Sequence, residues 1–279
     1  MPFLDGPKGV IAVPQYVHGY SDKEKERLYD QAQTLADLLH TDIKFEPGSK
    51  VLEAGCGTGA QTVFLAPNNP EAHIISIDRS ETSLAAARKR LTQKGITNVD
   101  FRLADIYGLD FEKDSFDHIF VCFVLEHLED PLKALDELRR VLKPGGLITA
   151  IEGDHGSFYC HPESAQANKA VDCLIEIQAR MGGNACIGRQ LFPLLTQAHF
   201  ADVSVTPKMV YVDDAKPALV DGFSKKTFIA MVEGVKEQAL DLNLIDETTW
   251  QKGITDLYRA TQKEGTFCYT FFKGRGLKA

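Results

Sequence analysis

Residues 51–59 read VLEAGCGTG, and this stretch decides the fold. An apolar run ends in Glu53, after which glycine occupies every second position from Gly55 to Gly59. Because glycine carries no Cβ, a turn built from it lets the backbone approach a ligand closely. The helix after such a turn begins with unpaired N–H groups, which attract electron-rich ligand atoms. The stretch therefore predicts a loop between a strand and a helix that binds a nucleotide-type cofactor.

The composition is that of an ordinary globular protein, with 44% hydrophobic and 25% charged residues in 279. Lys and Arg total 31 against 39 for Asp and Glu, so the formal net charge is −8. This excess of acidic residues argues against broad binding to nucleic acid or to an anionic membrane. We expect a small-molecule substrate and no nucleic-acid or membrane partner, and the oligomeric state is left open.

The cysteine pattern and the N-terminal segment indicate the compartment. The 6 cysteines are scattered without a C-x-x-C pair, which favours buried free thiols over disulfides or a zinc site. Residues 1–14 lack a basic region followed by a long apolar run, and no segment has the length of a membrane span. We therefore expect a soluble, cytoplasmic protein without a metal site.

Strand patterns alternate with helical patterns after the glycine loop. The near-continuous apolar run 116–123 is typical of a parallel strand that is buried on both faces. The alternation up to residue 151 implies a parallel sheet covered by helices on both faces. Beyond Gly153 the regular alternation of strand and helix patterns ends, and two further strand patterns occur at 203–212 and 266–273.

The same patterns divide the chain into one core with helical additions. The insertions 156–187 and 213–265 are too long for bare loops in a compact domain, so we expect them to form a helical cap. The predicted divisions are an N-terminal helical segment at 1–46, a cofactor-binding core at 47–155, a cap insertion at 156–187, a helix and strand completing the core at 188–212, a second cap insertion at 213–265, and the last core strand and tail at 266–279.

The glycine loop by itself fits two cofactors. Gly55-x-Gly57-x-x-Ala60 satisfies the dinucleotide pattern, and Asp78 follows about twenty residues later, where an acid binds a ribose hydroxyl. Such an acid fits any cofactor with a free ribose diol, so NAD and S-adenosylmethionine both remain open at this point. A phosphate-binding P-loop is excluded, because no Gly-Lys-Ser/Thr follows.

Three features favour S-adenosylmethionine over NAD. Glu53 places a carboxylate at the strand tip, which would repel a pyrophosphate but not a cationic sulfonium ligand with an ammonium group. Gly59 is a third glycine in strict alternation. Asp105 ends the third strand, where an acid can accept a hydrogen bond from an exocyclic adenine amine beside the apolar Ile106.

On these residues, the segment 49–153 resembles the class I S-adenosylmethionine-dependent methyltransferases, especially their small-molecule branch. The matching elements, in the family's order, are the E-x-G-x-G-x-G loop at 53–59, Asp78, Asp105-Ile106, the segment 116–128 and the LKPGG of 142–146. The resemblance implies an α/β fold with a Rossmann-like, doubly wound, mostly parallel seven-stranded sheet and an antiparallel C-terminal strand. It does not extend to the helical cap.

The resemblance also implies roles for single residues. The glycine loop lines the methionine half of the cofactor, Asp78 binds the ribose diol, and Asp105 binds the adenine amine. The full predicted set is Tyr20, Glu53, Gly55, Cys56, Gly57, Gly59, Asp78, Arg79, Asp105, Ile106, Cys122 and Phe123. Arg79 and Ile106 flank the adenine, Cys122 and Phe123 face the sulfonium, and Tyr20 folds over the cofactor. Each role has a structural alternative. Asp78 and Asp105 could cap a helix or form a turn, Arg79 could be an ordinary surface residue, and Tyr20 could belong to a packed aromatic cluster.

The acceptor side of the predicted site lies at 152–156, EGDHG, which ends the fifth strand beside the same crevice. Methyl transfer needs an aligned nucleophile and the exclusion of water, and it needs a base only if the nucleophile arrives protonated. His155 is the preferred base or hydrogen-bond acceptor, with a cap of the next helix as the alternative. The sequence thus predicts a methyltransferase for a small molecule with the acceptor atom open, and an NAD-dependent oxidoreductase or a non-catalytic cofactor-binding protein as alternatives.

Overall fold

The central sheet carries the residues of the glycine loop. In the computed structural model, the backbone is described for residues 22–279 and the side chains for residues 26–279. Within these residues the strands are β1 Lys50–Ala54, β2 His73–Asp78, β3 Val99–Leu103, β4 Phe116–Cys122, β5 Leu142–His161, β6 Ala201–Val212 and β7 Thr266–Leu277. Their order is β3-β2-β1-β4-β5-β7-β6 in a 7-stranded sheet. β1 to β5 pair in parallel and β7 is antiparallel to β5 and β6, which confirms the predicted fold class.

Helices cover the sheet. Their bounds are α1 Asp22–His40, α2 Thr62–Leu65, α3 Glu81–Gln93, α4 Pro131–Val141, α5 Ala165–Arg180, α6 Leu191–Gln197, α7 Pro217–Leu219, α8 Ala230–Glu233, α9 Lys236–Asp241 and α10 Glu247–Arg259. A π-helical segment, Val220–Ile229, joins α7 to α8. Side chains of Ser80, Asp130, Ser164 and Asp246 cap the first turns of α3, α4, α5 and α10. Across the described residues, no helix combines the length and the apolar character needed to cross a membrane.

The sheet is buried on both faces, as the apolar run 116–123 predicts. Val51 and Phe120 belong to one core cluster, whereas the neighbouring Leu52 and Ile119 belong to a second cluster. All four side chains are fully buried. The first cluster includes apolar residues of α1, and the second includes the apolar stripe of α4. Burial of each such side chain contributes about 1.5–3 kcal/mol, which fixes the strands between two helical layers.

β5 is much longer than predicted. The sequence pattern ended this strand at Ile151, but β5 continues to His161 because β7 pairs with it from Leu147 to Asp154 and again from Tyr159 to His161. Pairing resumes at Tyr159 with Cys268 after an irregularity that follows Asp154. The first residues of the insertion predicted as helical cap are therefore strand, and its helix begins only at Ala165. A partner more than a hundred residues away leaves no local signal in the sequence.

The crevice predicted for the cofactor follows from the strand order. β1 and β4 are neighbours, and the chain continues outward from them in opposite directions across the sheet. Such a switch point leaves a crevice at the carboxyl ends of the strands. α5 packs against α10, and α1 against the π-helical segment, so helices of both insertions and of the N-terminal segment pack around the sheet.

Candidate active site

A cavity of about 390 Å³ lies at the carboxyl ends of β1, β2 and β4. Residues from six separate segments of the chain line it together. Of the predicted cofactor residues, those that line it are Glu53, Gly55, Cys56, Gly57, Asp78, Arg79, Asp105, Ile106, Cys122 and Phe123. Gly59 lies outside the lining, and Tyr20 lies outside the described residues. The structure thus brings the sequence motifs to one place.

The alternating glycines lie in three different environments. Gly55, with φ of 75°, has no room for a side chain, because a Cβ there would lie 2.5 Å from Val124 Cγ2. Gly57, with φ of 53°, faces open space at the cavity wall. A Cβ on Gly59 would lie 3.0 Å from the Cβ of Ala87 in α3. Gly57 therefore leaves room for a ligand, whereas Gly59 allows the loop to pack against a helix.

Asp78 holds the glycine loop in position. Its Oδ2 accepts a hydrogen bond of 2.9 Å from the Gly57 amide, and its Oδ1 accepts one of 2.8 Å from the Ser80 amide. The side chain of Ser80 in turn accepts from Ser83 and caps α3. Each carboxylate oxygen has a second lone pair, so Asp78 can still accept hydrogen bonds from a ligand in the cavity.

Glu53 is a buried carboxyl group at the inner end of the cavity. Its oxygens accept hydrogen bonds from Thr62 Oγ1 at 2.8 Å and from Ser76 Oγ at 2.5 Å. Burial raises the pKa of Glu53 to about 7, against the lowering effect of these two hydroxyl groups. The sequence pattern predicts an ionised carboxylate at the strand tip. With a pKa of about 7 the carboxyl group is partly protonated near pH 7, and a nearby cation would favour its ionised form.

The loop after β3 places Asp105 and Tyr107 on the cavity wall. Asp105 Oδ1 accepts a hydrogen bond of 2.9 Å from the Tyr107 amide, which closes a tight turn. The Tyr107 hydroxyl accepts a hydrogen bond from the Asp130 amide at the start of α4. Tyr107 lines the cavity but carried no signal in the sequence beyond its place two residues after Asp105.

Phe123 forms the boundary between this cavity and a second one. Its φ of 58° lies in the left-handed region, which is uncommon for a bulky residue and costs of order 1–3 kcal/mol. The Phe123 amide donates to the Ile151 carbonyl at 2.9 Å, which holds the strained residue against β5. Leu28, Phe123 and His127 line both cavities.

The second cavity, of about 40 Å³, holds the predicted acceptor-side residue His155. Its lining also contains Arg27, Gln31, Glu126 and Tyr269 among apolar side chains. His155 Nδ1 lies 2.7 Å from the Tyr269 hydroxyl. Burial, and secondarily the charge of Arg27, lowers the pKa of His155 to about 4, so the imidazole is neutral near pH 7. His155 is therefore adjacent to the larger cavity and absent from its lining.

The other two polar residues of EGDHG hold neighbouring elements. Glu152 Oε1 accepts hydrogen bonds from the amides of Val124 and Leu125, at 3.0 and 2.8 Å, and so fixes the turn after β4. Asp154 is 2% exposed and bonds the Arg189 guanidinium through both oxygens, at 2.7 and 2.8 Å. A carboxylate engaged in this way is a structural anchor and a poor candidate for a base.

Several residues that line the second cavity carry no signal in the sequence. Glu126 is buried, and burial raises its pKa to about 7, with Arg27 acting in the opposite direction. The LEHL of 125–128 contained this glutamate, but only as part of a motif. Arg27 and Gln31 lie one turn apart on α1 and face this cavity, which the helical pattern of α1 alone could not indicate.

Two relatives match parts of this chain in sequence. A 37.1 kDa protein encoded in a transposon of Streptomyces fradiae is 32% identical over 207 residues, covering 74% of this chain and 59% of that protein. Demethylmenaquinone methyltransferase of Clavibacter sepedonicus is 42% identical over 105 residues, covering 38% of this chain and 41% of that protein. The chain therefore spans less than two thirds of the length of either relative.

A solved structure shares the fold. Phosphoethanolamine N-methyltransferase 2 of Haemonchus contortus, in complex with phosphomonomethylethanolamine and S-adenosylhomocysteine, matches with a TM-score of 0.56 at 17% identity, over 92% of this chain and 57% of that one. The family described as methyltransferase domain matches residues 45–199, which contain β1 to β5 and the loops that line the larger cavity. The chain belongs to this family of methyltransferase domains.

Proposed function

We propose that this protein is an S-adenosylmethionine-dependent methyltransferase that acts on a small molecule. The observation that carries the proposal is the larger cavity, where Glu53, Asp78 and Asp105 line one space in a chain of the methyltransferase domain family. The residues fit the cofactor. Gly57 leaves open space at the wall, and Glu53 is a buried carboxyl group that a cationic ligand would ionise.

Different residues of the chain would hold different parts of the cofactor. Asp78 accepts hydrogen bonds from the ribose hydroxyls, and Asp105 accepts one from the adenine amine, with Ile106 and Arg79 beside the ring. Gly55, Cys56, Gly57 and Glu53 surround the amino-acid end. Cys122 and Phe123 lie at the end of β4, toward the second cavity. When bound, S-adenosylmethionine supplies a methyl group activated by a sulfonium sulfur.

His155 contacts the acceptor in this proposal. The second cavity shares Phe123 and His127 with the larger one, so a group held beside His155 lies next to the cofactor site. His155 and the aromatic side chains around it are buried, which keeps water away from the reacting atoms. The protein's part in the reaction is to align the acceptor for in-line attack and to exclude water.

Two observations support a small acceptor. The named relative acts on demethylmenaquinone, and the solved structure holds phosphomonomethylethanolamine, both of which are small molecules. The net charge of −8 argues against nucleic acid as the acceptor.

Calorimetry tests the cofactor directly. We expect S-adenosylmethionine and S-adenosylhomocysteine to bind and NAD to give no heat of binding. Binding of NAD with no binding of S-adenosylhomocysteine would overturn the proposal in favour of an oxidoreductase.

A methyl-transfer assay tests turnover. The protein is incubated with methyl-labelled S-adenosylmethionine and a small-molecule extract of the host, and the products are analysed by mass spectrometry. We expect label in a small molecule. Cofactor binding without any labelled product would instead support a non-catalytic binding protein, and label confined to nucleic acid or protein would overturn the acceptor class.

A further inference from the structure

Glu126 is the one acidic residue among the described residues that line the second cavity. Its side chain is 11% exposed, and its Oε1 lies 3.4 Å from His127 Nε2. Across residues 26–279, neither carboxyl oxygen of Glu126 takes part in a hydrogen bond. A carboxyl group in the interior without hydrogen-bond donors has lost its hydration without replacement, which is costly. The group is therefore available to a ligand in this cavity.

The main chain of Glu126 is fixed in place. Its carbonyl oxygen accepts hydrogen bonds from Gln178 Nε2 at 3.0 Å and from the Asn184 amide at 2.8 Å. A Cβ on Gly183 would lie 2.6 Å from the same oxygen, so the chain after α5 packs closely against this turn. These contacts hold the residue without using its carboxyl group. A group that acts on a reacting atom requires such a rigid support.

The neighbouring candidates for a base are less suitable. Glu152 accepts from two backbone amides, Asp154 is held by Arg189, and neither acid lines either cavity. His155 lines the second cavity, but burial lowers its pKa to about 4. An imidazole with this pKa binds a proton too weakly to serve as a base near neutral pH. Glu126 remains.

The surroundings of Glu126 adjust its proton affinity. The titratable and charged groups near it are Arg27 from α1, His127 from the same turn, Glu152 and His155 from β5, and Tyr269 from β7. Burial raises the pKa of Glu126 to about 7, and the charge of Arg27 acts in the opposite direction. Burial also keeps both histidines neutral and the Tyr269 phenol protonated. Near neutral pH, Glu126 therefore exchanges its proton readily.

The second cavity is small and adjoins the proposed cofactor site. Its volume is about 40 Å³, and a buried water needs roughly 10–15 Å³ of such space, so about three waters fill it. Leu28, Phe123 and His127 line both cavities. The space thus admits the reacting end of an acceptor, such as a hydroxyl or amino group with the atom that bears it, at the wall shared with the larger cavity.

We propose that Glu126 is the general base for a methyl acceptor that arrives with a proton on its nucleophilic atom, as a neutral hydroxyl or amine-type N–H group whose reacting end occupies the second cavity. This inference rests on the proposed methyl transfer and specifies its substrate class. It gives Glu126 the role of base for which the sequence favours His155.

The step is balanced in electrons, protons and charge. The acceptor's lone pair forms the new bond to the methyl carbon, and the bond from that carbon to sulfur breaks with its electron pair left on sulfur. The proton of the acceptor passes to an oxygen of the Glu126 carboxylate. A neutral acceptor, a carboxylate and a sulfonium thus become a neutral methylated product, a carboxylic acid and a thioether. The carboxylic acid returns its proton to water before the next turnover.

Infrared difference spectra between the wild type and Glu126→Gln test the ionisation of this group. In the free protein and in the S-adenosylhomocysteine complex, we expect the band of a protonated carboxyl group at about pH 6 and its loss by about pH 8. A carboxyl group already ionised at about pH 5, or still protonated at about pH 9, would exclude Glu126 as a base near neutral pH.

Hydroxylamine is a suitable probe acceptor, because it is a neutral nucleophile of two non-hydrogen atoms that carries its own protons. With methyl-labelled S-adenosylmethionine, we expect the wild type to form labelled methylhydroxylamine, detected by mass spectrometry. At about pH 8, Glu126→Gln should be about a hundredfold slower. The ratio of the wild-type rate to the Glu126→Gln rate should rise about tenfold from about pH 6 to about pH 8, as the ionised fraction of Glu126 grows.

Three variants serve as controls. Glu129→Gln, an exposed glutamate on the same turn and outside both linings, should keep the wild-type rate. His155→Gln should keep the rise of the rate with pH, since the base is still present. Glu126→Asp retains a carboxyl group and should show the same rise at a lower rate. Thermal melting and S-adenosylhomocysteine affinity check that each variant folds and binds the cofactor.

The outcomes separate this inference from the proposed function. A wild type that binds S-adenosylhomocysteine and forms no methylhydroxylamine, or a Glu126→Gln rate equal to that of the wild type, would overturn the role of Glu126. Loss of the pH dependence in His155→Gln would return the role of base to His155. Failure of S-adenosylhomocysteine to bind the wild type would instead overturn the proposed function, while the infrared result on the free protein would still stand.

Discussion

The Asp78 carboxylate connects the end of β2 to the glycine loop after β1, since its Oδ2 accepts a hydrogen bond of 2.9 Å from the Gly57 amide. Its other oxygen accepts from Ser80, the residue that caps α3. One side chain thus fixes a strand end, a loop and a helix around the larger cavity. A change at Asp78 should therefore affect the loop and the proposed ribose contact together.

We predict that Asp78→Ala weakens S-adenosylhomocysteine binding by more than about tenfold, or about 1.4 kcal/mol, because both the ribose contact and the support of the loop are lost. Calorimetry measures the affinity, and thermal melting checks that the variant folds. Asp110→Ala, an exposed aspartate outside the cavity, is the matched control and should bind as the wild type does. Wild-type affinity in Asp78→Ala would contradict the assigned role.

Gly48 and Gly55 allow the cost of a left-handed backbone conformation to be distinguished from the cost of a side-chain collision. Gly48 and Gly55 have nearly the same backbone conformation, with φ of 76° and 75°. A Cβ on Gly48 would have no atom within 4 Å, whereas a Cβ on Gly55 would lie 2.5 Å from Val124 Cγ2. Gly48→Ala therefore tests the left-handed conformation by itself, and Gly55→Ala adds the loss of space.

We predict that Gly48→Ala lowers the free energy of unfolding by about 1 kcal/mol. Gly55→Ala should lower it by about 1–3 kcal/mol more, since Val124 must move to make room. Urea denaturation of both variants measures the difference. Equal losses of unfolding free energy in the two variants would show that Val124 moves aside at no cost. In that case only the backbone conformation would require glycine at position 55.

Glu53 should make the proposed binding of S-adenosylmethionine depend on pH. With a pKa of about 7, it is mostly protonated at about pH 6 and mostly ionised at about pH 8. The ionised form attracts a cation, so affinity for S-adenosylmethionine should rise with pH over this range. The rise is about tenfold at most, the factor by which the ionised fraction grows.

Glu53→Gln should remove this pH dependence while keeping the side-chain shape. Calorimetry at several pH values measures it, and S-adenosylhomocysteine, which lacks the sulfonium charge, should show a smaller slope. An S-adenosylmethionine affinity that falls as the pH rises, or an unchanged slope in Glu53→Gln, would show that Glu53 does not face the cation.

The sequence predicts the larger cavity well because its residues follow consecutive parallel strands. The carboxyl ends of such strands share one edge of the sheet, so Glu53, Asp78, Asp105 and Cys122 must converge there. Each motif is local in the sequence, and the parallel pairing of the strands brings the motifs together. Gly59 carried the same signal as Gly57, but the spacing could not tell a glycine beside a ligand from one beside a helix.

The second cavity depends on contacts that are distant in the chain. Tyr269 meets His155 across 114 residues because β7 pairs with an extension of β5 that no local pattern indicated. Arg27 and Gln31 reach it from α1, at the other end of the described chain. Without the register of β5 and β7, the sequence could name His155 as a candidate but not its hydrogen-bond partner.

The Asp154–Arg189 ion pair adjoins His155 in the chain and lies outside the lining of the larger cavity. Asp154 is 2% exposed, and Arg189 is half exposed and bonds both of its oxygens. Removal of Arg189 leaves a buried carboxylate without its partner, which is costly. We predict that Arg189→Met lowers the free energy of unfolding by about 2 kcal/mol, below the 3–5 kcal/mol of a fully buried pair because water reaches the guanidinium.

A second substitution separates the charge from the packing. Asp154→Asn on the Arg189→Met background removes the unpaired charge and should recover part of the loss, as measured by urea denaturation. Arg180→Met is the control, because its pair with Glu176 is half exposed on α5 and should contribute less than about 0.5 kcal/mol. S-adenosylhomocysteine affinity should be unchanged in Arg189→Met, since Arg189 does not line the larger cavity. A loss no larger than that of Arg180→Met would mean that Asp154 finds other partners when the arginine is removed.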